Sequence, residues 1–277
     1  MKIENLDFNV RTTGEGTPFV WAHGLLSSMA TEDALDWYQW AGFPPNVKLV
    51  RYDARGHGQT QASHKPEDYH WRTLGQDMLA VADAVEARYF IAGGASMGCA
   101  TAIYAALQAP ERIQGLVLLI PPNIWEKRAP QGKNYRRMAL IGGLLGGPML
   151  ARLSSLRMNE IVPGWMLAKE GKRVARAQHG LRAMSGRTLR TVLRGAALTD
   201  LPTREVLAAA LRDIPTLILT WVDDPTHPVW SAEELQRHLP KSELFIAKGY
   251  EDFQTIPQRI RRFIVSTIHY QPPPIHY

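Results

Sequence analysis

One stretch limits this chain's possible folds more than any other. It is Tyr89-Phe90-Ile91-Ala92 running into Gly93-Gly94-Ala95-Ser96-Met97-Gly98, with helix-like sequence resuming over 99–108. The apolar run is long enough for a buried strand and too short for a helix. A strand that turns at once into a helix needs small residues at the bend, because bulky neighbours would strike the adjoining strand and helix. Strands joined through helices imply right-handed crossovers and a mostly parallel sheet covered on both faces.

The rest of the chain repeats this alternation. Residues 2–12 alternate polar and apolar like a half-buried edge strand, and 14–18 form a Gly- and Pro-containing turn. Buried strands are expected at 19–22, 47–52, 115–120, 216–222 and 243–247. Leu74, Met78, Val81 and Val85 recur at helical spacing, and a final helix is expected over 257–268. The tail 271–277, with three successive prolines, is expected to be loosely held.

From 123 to 212 there is no strand signal, only helical stretches broken by Gly and Pro. The spacing therefore predicts one α/β domain built from 1–122 and 213–277, with a helical cap over 123–212. With 277 residues, 45% of them hydrophobic, the chain has ample material for such a core. Charge divides along the same line. Residues 123–199 carry fifteen Lys and Arg against three acids, a net +12, so the rest of a chain that is +6 overall is −6. Such asymmetry suggests a separate layer with its own surface role: a solvated face, or attraction of an anionic ligand or partner. No nucleic-acid-binding motif accompanies the charge, so no nucleic-acid partner is expected.

Gly94-Ala95-Ser96-Met97-Gly98 is a G-x-S-x-G between strand and helix, the context in which a serine is exposed as a nucleophile. His23-Gly24-Leu25 closes an earlier strand. Here the sequence resembles the α/β-hydrolase superfamily in its lipase, esterase and lactonase-like form. The resemblance implies an oxyanion hole made by the backbone N–H groups of Leu25 and Met97, with His23 structural. Asp53-Ala54-Arg55-Gly56-His57-Gly58 resembles the family's turn after the fourth strand and reads as scaffold, His57 included. Residues 217–228 resemble the strand that delivers the acid, which makes Asp224 the triad acid and Asp223 its rival.

The resemblance fails at the base. The family carries its histidine in the loop after the last strand, and here that loop reads Lys248-Gly249-Tyr250-Glu251-Asp252-Phe253. Tyr250 stands in the histidine's place. A tyrosine of pKa near 10 is only about a thousandth ionised at neutral pH. Three readings stay open. Another histidine supplies the base, with His227, three residues past Asp224, the nearest, His238 expected on a surface helix and His179 unplaced in the cap. Or Tyr250 acts as hydrogen-bond donor or acid in different chemistry. Or the site binds without hydrolysing. The leading function is hydrolysis of a carboxylic ester, lactone or related acyl compound; the alternative is a ligand-binding or regulatory protein on the same scaffold.

Other features are read modestly. Cys99 is expected to pack on the inner face of its helix. As the chain's one cysteine it forms no internal disulfide. Trp125, Trp165 and Met166 are either pocket wall under the cap or ordinary cap core. No metal and no organic cofactor are expected, and the ligand is a small acyl or anionic molecule. The N-terminus has no apolar run after its basic start, and the greasy stretch 139–150 is too short to span a bilayer. A soluble, cytoplasmic protein is the expectation.

Overall fold

The computed structural model describes residues 1–3 and 5–268, with the backbone alone at His179. The tail 271–277 lies outside the described residues. Strands β1 (Lys2–Ile3) and β2 (Leu6–Asp7) form a small hairpin. The central sheet contains β3 (Val10–Thr13), β4 (Thr17–Ala22), β5 (Val47–Tyr52), β6 (Phe90–Ala95), β7 (Ile113–Leu119), β8 (Thr216–Trp221) and β9 (Ser242–Ala247). Their spatial order is β3-β5-β4-β6-β7-β8-β9, and every pairing is parallel except the edge pair β3–β5. The expected edge strand over 2–12 is thus divided: its first half turns back on itself, and only Val10–Thr13 joins the sheet.

Helices α1 (Met29–Leu35), α2 (Trp71–Ala84) and α3 (Met97–Gln108) belong to the first half of the sheet. Then come α4 (Arg128–Leu156), α5 (Gly164–Arg176), α6 (His179–Ala183), α7 (Gly186–Ala196) and α8 (Arg204–Leu211), all between β7 and β8. Helices α9 (Val229–His238), α10 (Tyr250–Gln254) and α11 (Ile256–Thr267) complete the chain. Two apolar clusters lie on the two faces of the sheet, and the period-two alternation of the strands sorts residues between them. In β7, Leu116 and Leu118 join the cluster with α2 and α3, whereas Val117 and Leu119 join the one with Ile256, Ile260 and Ile264 of α11.

Between β7 and β8 no strand occurs among the described residues. Helix α4 packs on α7 and α6, and its small residues explain how closely. A Cβ at Gly142 would meet Leu150 and Leu189, and one at Gly147 would lie 2.2 Å from the Leu181 carbonyl oxygen. Gly146 adopts φ 74°, so α4 breaks there into two arms, with Pro148 opening the second. Helix α8 sits differently: its Leu207 and Leu211 are buried in the cluster that holds α2 and α3.

Candidate active site

The elbow is built by exclusion. Ser96 follows β6 directly and has φ 53° and ψ −111°, a backbone conformation that costs a non-glycine residue about 1–3 kcal/mol. Its neighbours have no room for side chains. A Cβ on Gly94 would lie 2.4 Å from the Gly98 carbonyl carbon, and one on Gly98 would lie 2.0 Å from the Ala22 carbonyl oxygen. The Ser96 N–H donates to the Leu119 carbonyl, which fixes the bend to β7. Cys99 lies beneath, fully buried, its thiol against the Gly94 and Leu119 carbonyls, and burial pushes its pKa up.

The Ser96 hydroxyl lies within hydrogen-bond reach of an imidazole. His227 Nε2 lies 2.8 Å from Ser96 Oγ, and His227 Nδ1 lies 3.1 Å from Asp224 Oδ2. Asp224 and His227 therefore lie on one loop, between β8 and α9. Asp224 is held by four further hydrogen bonds. Trp221 Nε1 donates to Oδ2 at 3.0 Å, while the Thr226 N–H, the Thr226 hydroxyl and the His227 N–H donate to Oδ1 at 2.8, 2.8 and 3.0 Å. Burial on its own would raise this carboxyl. The His227 imidazole and the Thr226 donors outweigh it and hold Asp224 below the usual carboxylate range. Asp223, the rival acid, is exposed at the turn with φ 62° and takes no part in this network.

Tyr250 does not join the serine. It opens α10, and its hydroxyl donates to Glu170 of α5, a contact between the loop after β9 and the helices above. That hydrogen bond, with burial second, raises the Tyr250 pKa and keeps the phenol protonated. The placing of Tyr250 beside Asp224 and Ser96 is thus corrected: a loop that ends in a short helix against α5 carries the side chain toward the cap. His238 lies at the end of α9 beside Trp125 and Glu234.

His23 and His57 are scaffold. The Ala54 N–H donates to His23 Nε2, so Nδ1 carries the proton and donates to the Gly24 carbonyl. Burial lowers the pKa of both rings, that of His57 to about 3, so both are neutral. Asp53 accepts from the Met29 and Gln59 amides and from Asn9, locking the turn that holds them.

The cavity over Ser96 is lined by Leu25 and Met97, with Trp71, Pro122, Arg128, Tyr135 and Ala196 closing it. It measures about 10 Å³, scarcely room for one water. Trp125, Trp165 and Met166 are not among the residues of this wall. Trp125 donates to the Pro202 carbonyl and lies under Arg204, Trp165 packs edge-on against Phe253, and Met166 is fully buried in the α11-side cluster. The wall residues Trp71, Arg128 and Tyr135 escaped the sequence reading, because their approach to Ser96 depends on how α2 and α4 lie across the elbow. Thr226 left a faint signal, an Asp-x-Thr pattern suited to a side-chain-closed turn; Trp221 left none. Among the described residues no group of three or more His, Cys, Asp or Glu gathers as a metal site.

Comparison with known proteins agrees with this architecture. Residues 19–253 match the family described as "Alpha/beta hydrolase family". The pimeloyl-[acyl-carrier protein] methyl ester esterase of Nitrosomonas europaea is 27% identical, over 91% of this chain and 95% of its own length. Among solved structures, a hydrolase from Pseudomonas aeruginosa superposes with a TM-score of 0.76 at 22% identity, over 97% of this chain and all of its own. The enol-lactonase of Burkholderia xenovorans gives 0.75 at 17% identity, over 96% and 98%. The parallel sheet, the serine on its elbow and the match along most of the sequence lead to one conclusion: the chain belongs to the alpha/beta hydrolase family.

Proposed function

We propose that this protein is a serine hydrolase of carboxylic esters or lactones, with Ser96 as nucleophile, His227 as general base and Asp224 as the orienting acid. The observation that carries the reading is the continuous hydrogen-bonded line from Ser96 Oγ through the His227 ring to Asp224, with links of 2.8 and 3.1 Å. His227 Nε2 takes the hydroxyl proton as Oγ attacks the ester carbonyl. Asp224, kept ionised, fixes the tautomer with the proton on Nδ1 and steadies the imidazolium that forms. The N–H groups of Leu25 and Met97 receive the negative charge that develops on the carbonyl oxygen; one such donor is worth about 10²–10³ in rate. His227 then returns the proton to the leaving alkoxide, and water repeats the sequence on the acyl-enzyme. The esterase and enol-lactonase named above support the substrate class. A non-catalytic binding role rests on the absence of a histidine after β9, and the His227 ring 2.8 Å from Ser96 Oγ favours the hydrolytic reading over it.

Arg128 narrows the substrate further. Its guanidinium forms part of the cavity wall, is buried, and among the described residues donates to the Thr199 and Ala196 carbonyls and the Gln131 amide oxygen while lying over the Trp71 ring, with the Asp200 carboxylate near but not bonded to it. A buried cation bonded to neutral groups favours a ligand that brings an anion, so the substrate is an ester or lactone carrying a carboxylate. The helices α4 to α7 serve as the cap, of which α4 and α7 shift to admit it, while α8 stays with the sheet.

The test is intact-protein labelling with a fluorophosphonate. Ser96 takes one adduct, Ser96→Ala takes none, and His227→Ala labels more slowly by about 10⁴-fold or more. Resistance of the unaltered protein, while an ordinary esterase alongside is labelled, overturns the reading.

A further inference from the structure

The strongest unexplained feature is the outer surface of α4. Its inner side packs on α7 and α6, while its outer side leaves large apolar side chains in water. On the first arm Leu140, Ile141, Leu144 and Leu145 are exposed, Leu144 by 86% at the turn before the Gly146 break. On the second arm Met149, Leu153 and Leu156 follow at helical spacing, Leu156 exposed by 78%. A water-facing helix of a globular protein carries polar residues at such positions, and a cluster of exposed large apolar side chains of this kind marks an interaction surface.

Cations border the strip. Arg136 and Arg137 lie one turn before Leu140 and Ile141, and Arg152 stands between Met149 and Leu156 on the second arm; all three are exposed. Arg190 of α7 lays its side-chain carbons against the helix at Gly143, beside Leu144. The acids of this segment are few and engaged: Glu126 with Arg204, Glu160 with Arg157, and Glu170 with Arg173 and Tyr250. Apolar residues along one helix face with Arg and Lys at its margins are the pattern of a helix lying in the interface of a bilayer.

We propose that α4 docks this protein onto the surface of an anionic lipid bilayer. A second copy of the chain fits the strip poorly, since two such caps would bring +12 against +12. The span Trp125–Leu156 is long and apolar enough to cross a membrane by length and composition. Its break at Gly146 and its packing on α7 make it a helix that lies on the surface instead. The anionic headgroups pair with the arginines while Leu144 and Leu145, at the bend, enter the acyl boundary. The docking stands independently of the reaction proposed above, because its test reads binding alone.

The experiment is co-sedimentation of the full chain with sucrose-loaded vesicles, one set of phosphatidylcholine and one of phosphatidylcholine mixed with phosphatidylglycerol. The protein is expected to pellet with the mixed vesicles and to remain in solution with the neutral ones. Arg136→Gln with Arg137→Gln should weaken partition by about thirtyfold, from about 1 kcal/mol per cation near an anionic surface. Leu144→Ser with Leu145→Ser should weaken it by about tenfold or more. These leucines are exposed, so thermal melting of that variant should match the parent and separate lost docking from lost folding. No pelleting with either set overturns the proposal. So does binding indifferent to the leucine changes, which would make the surface a general polyanion site. Concentration-dependent dimerisation abolished by the leucine changes also overturns it, because the strip would then belong to a second copy.

Discussion

At the scale of single residues, the decisive exchange is between Tyr250 and His227. The imidazole faces Ser96 and the phenol faces Glu170. His227→Ala should lower kcat on an activated ester by about 10⁴–10⁶, in line with removal of a triad base. Tyr250→Phe should leave kcat within about threefold, since it removes a hydrogen bond away from the serine, and should cost about 1 kcal/mol of stability in chemical denaturation. Steady-state kinetics on the two variants separate the roles. Arg128 makes a second prediction. Between two activated esters alike except for a terminal carboxylate, the protein should prefer the acidic one in kcat/KM, and Arg128→Gln should erase about thirtyfold of that preference, equivalent to about 2 kcal/mol. Glu32 makes a third. It accepts from Trp21 and Arg51 in the interior, and burial raises its pKa from 4.5 to about 7, against the pull of Arg51. The native state therefore holds this proton more tightly than the unfolded chain. Its contribution is fully present below pH 4.5 and is lost as pH rises toward about 7. Glu32→Gln cannot ionise, so the variant's Tm relative to the parent should climb between pH 4.5 and 7.

At the scale of elements, the strand-turn-helix around Ser96 was legible because its constraint is local. Two glycines, a short apolar run and a following helix are adjacent in sequence, and the clash distances at Gly94 and Gly98 show why nothing larger fits. Gly98→Ala should destabilise the protein by about 3 kcal/mol or more in denaturant titration, since the added carbon meets backbone rather than a movable side chain. The parallel strands read nearly as well, being short and mostly apolar runs, and β5 begins and ends where its pattern does although it holds Lys48 and Arg51. The histidine that faces Ser96 did not read so well. His227 and Tyr250 are both near the site in sequence terms, and only the path of two loops decides between them. Helix α8 shows the same limit. Helical spacing placed it with the segment before it, whereas Leu207 and Leu211 bury against the α2–α3 side of the sheet.

For the whole molecule, the uneven charge is a long-range feature that no single contact expresses. Residues 123–199 at +12, with the remainder at −6, set up a field that should draw small anions. The second-order rate for an anionic ester should fall steeply from low to high salt, while that for a neutral ester stays nearly flat, as stopped-flow measurement would show. The cleft is closed over Ser96, so turnover of either ester also requires α4 and α7 to move away from the elbow. The short segment joining Asp224 to His227 gives that motion an unusual consequence. Where acid and base ride on separate loops, each can drift independently, and a catalytic line decays by degrees. Here the two are tethered three residues apart and braced by Thr226. The two are held in one hydrogen-bonded unit, so their own alignment should survive a swing of the loop. Only the distance to Ser96 would then change, and on the proposed reading the serine would be either engaged by the complete relay or left with none.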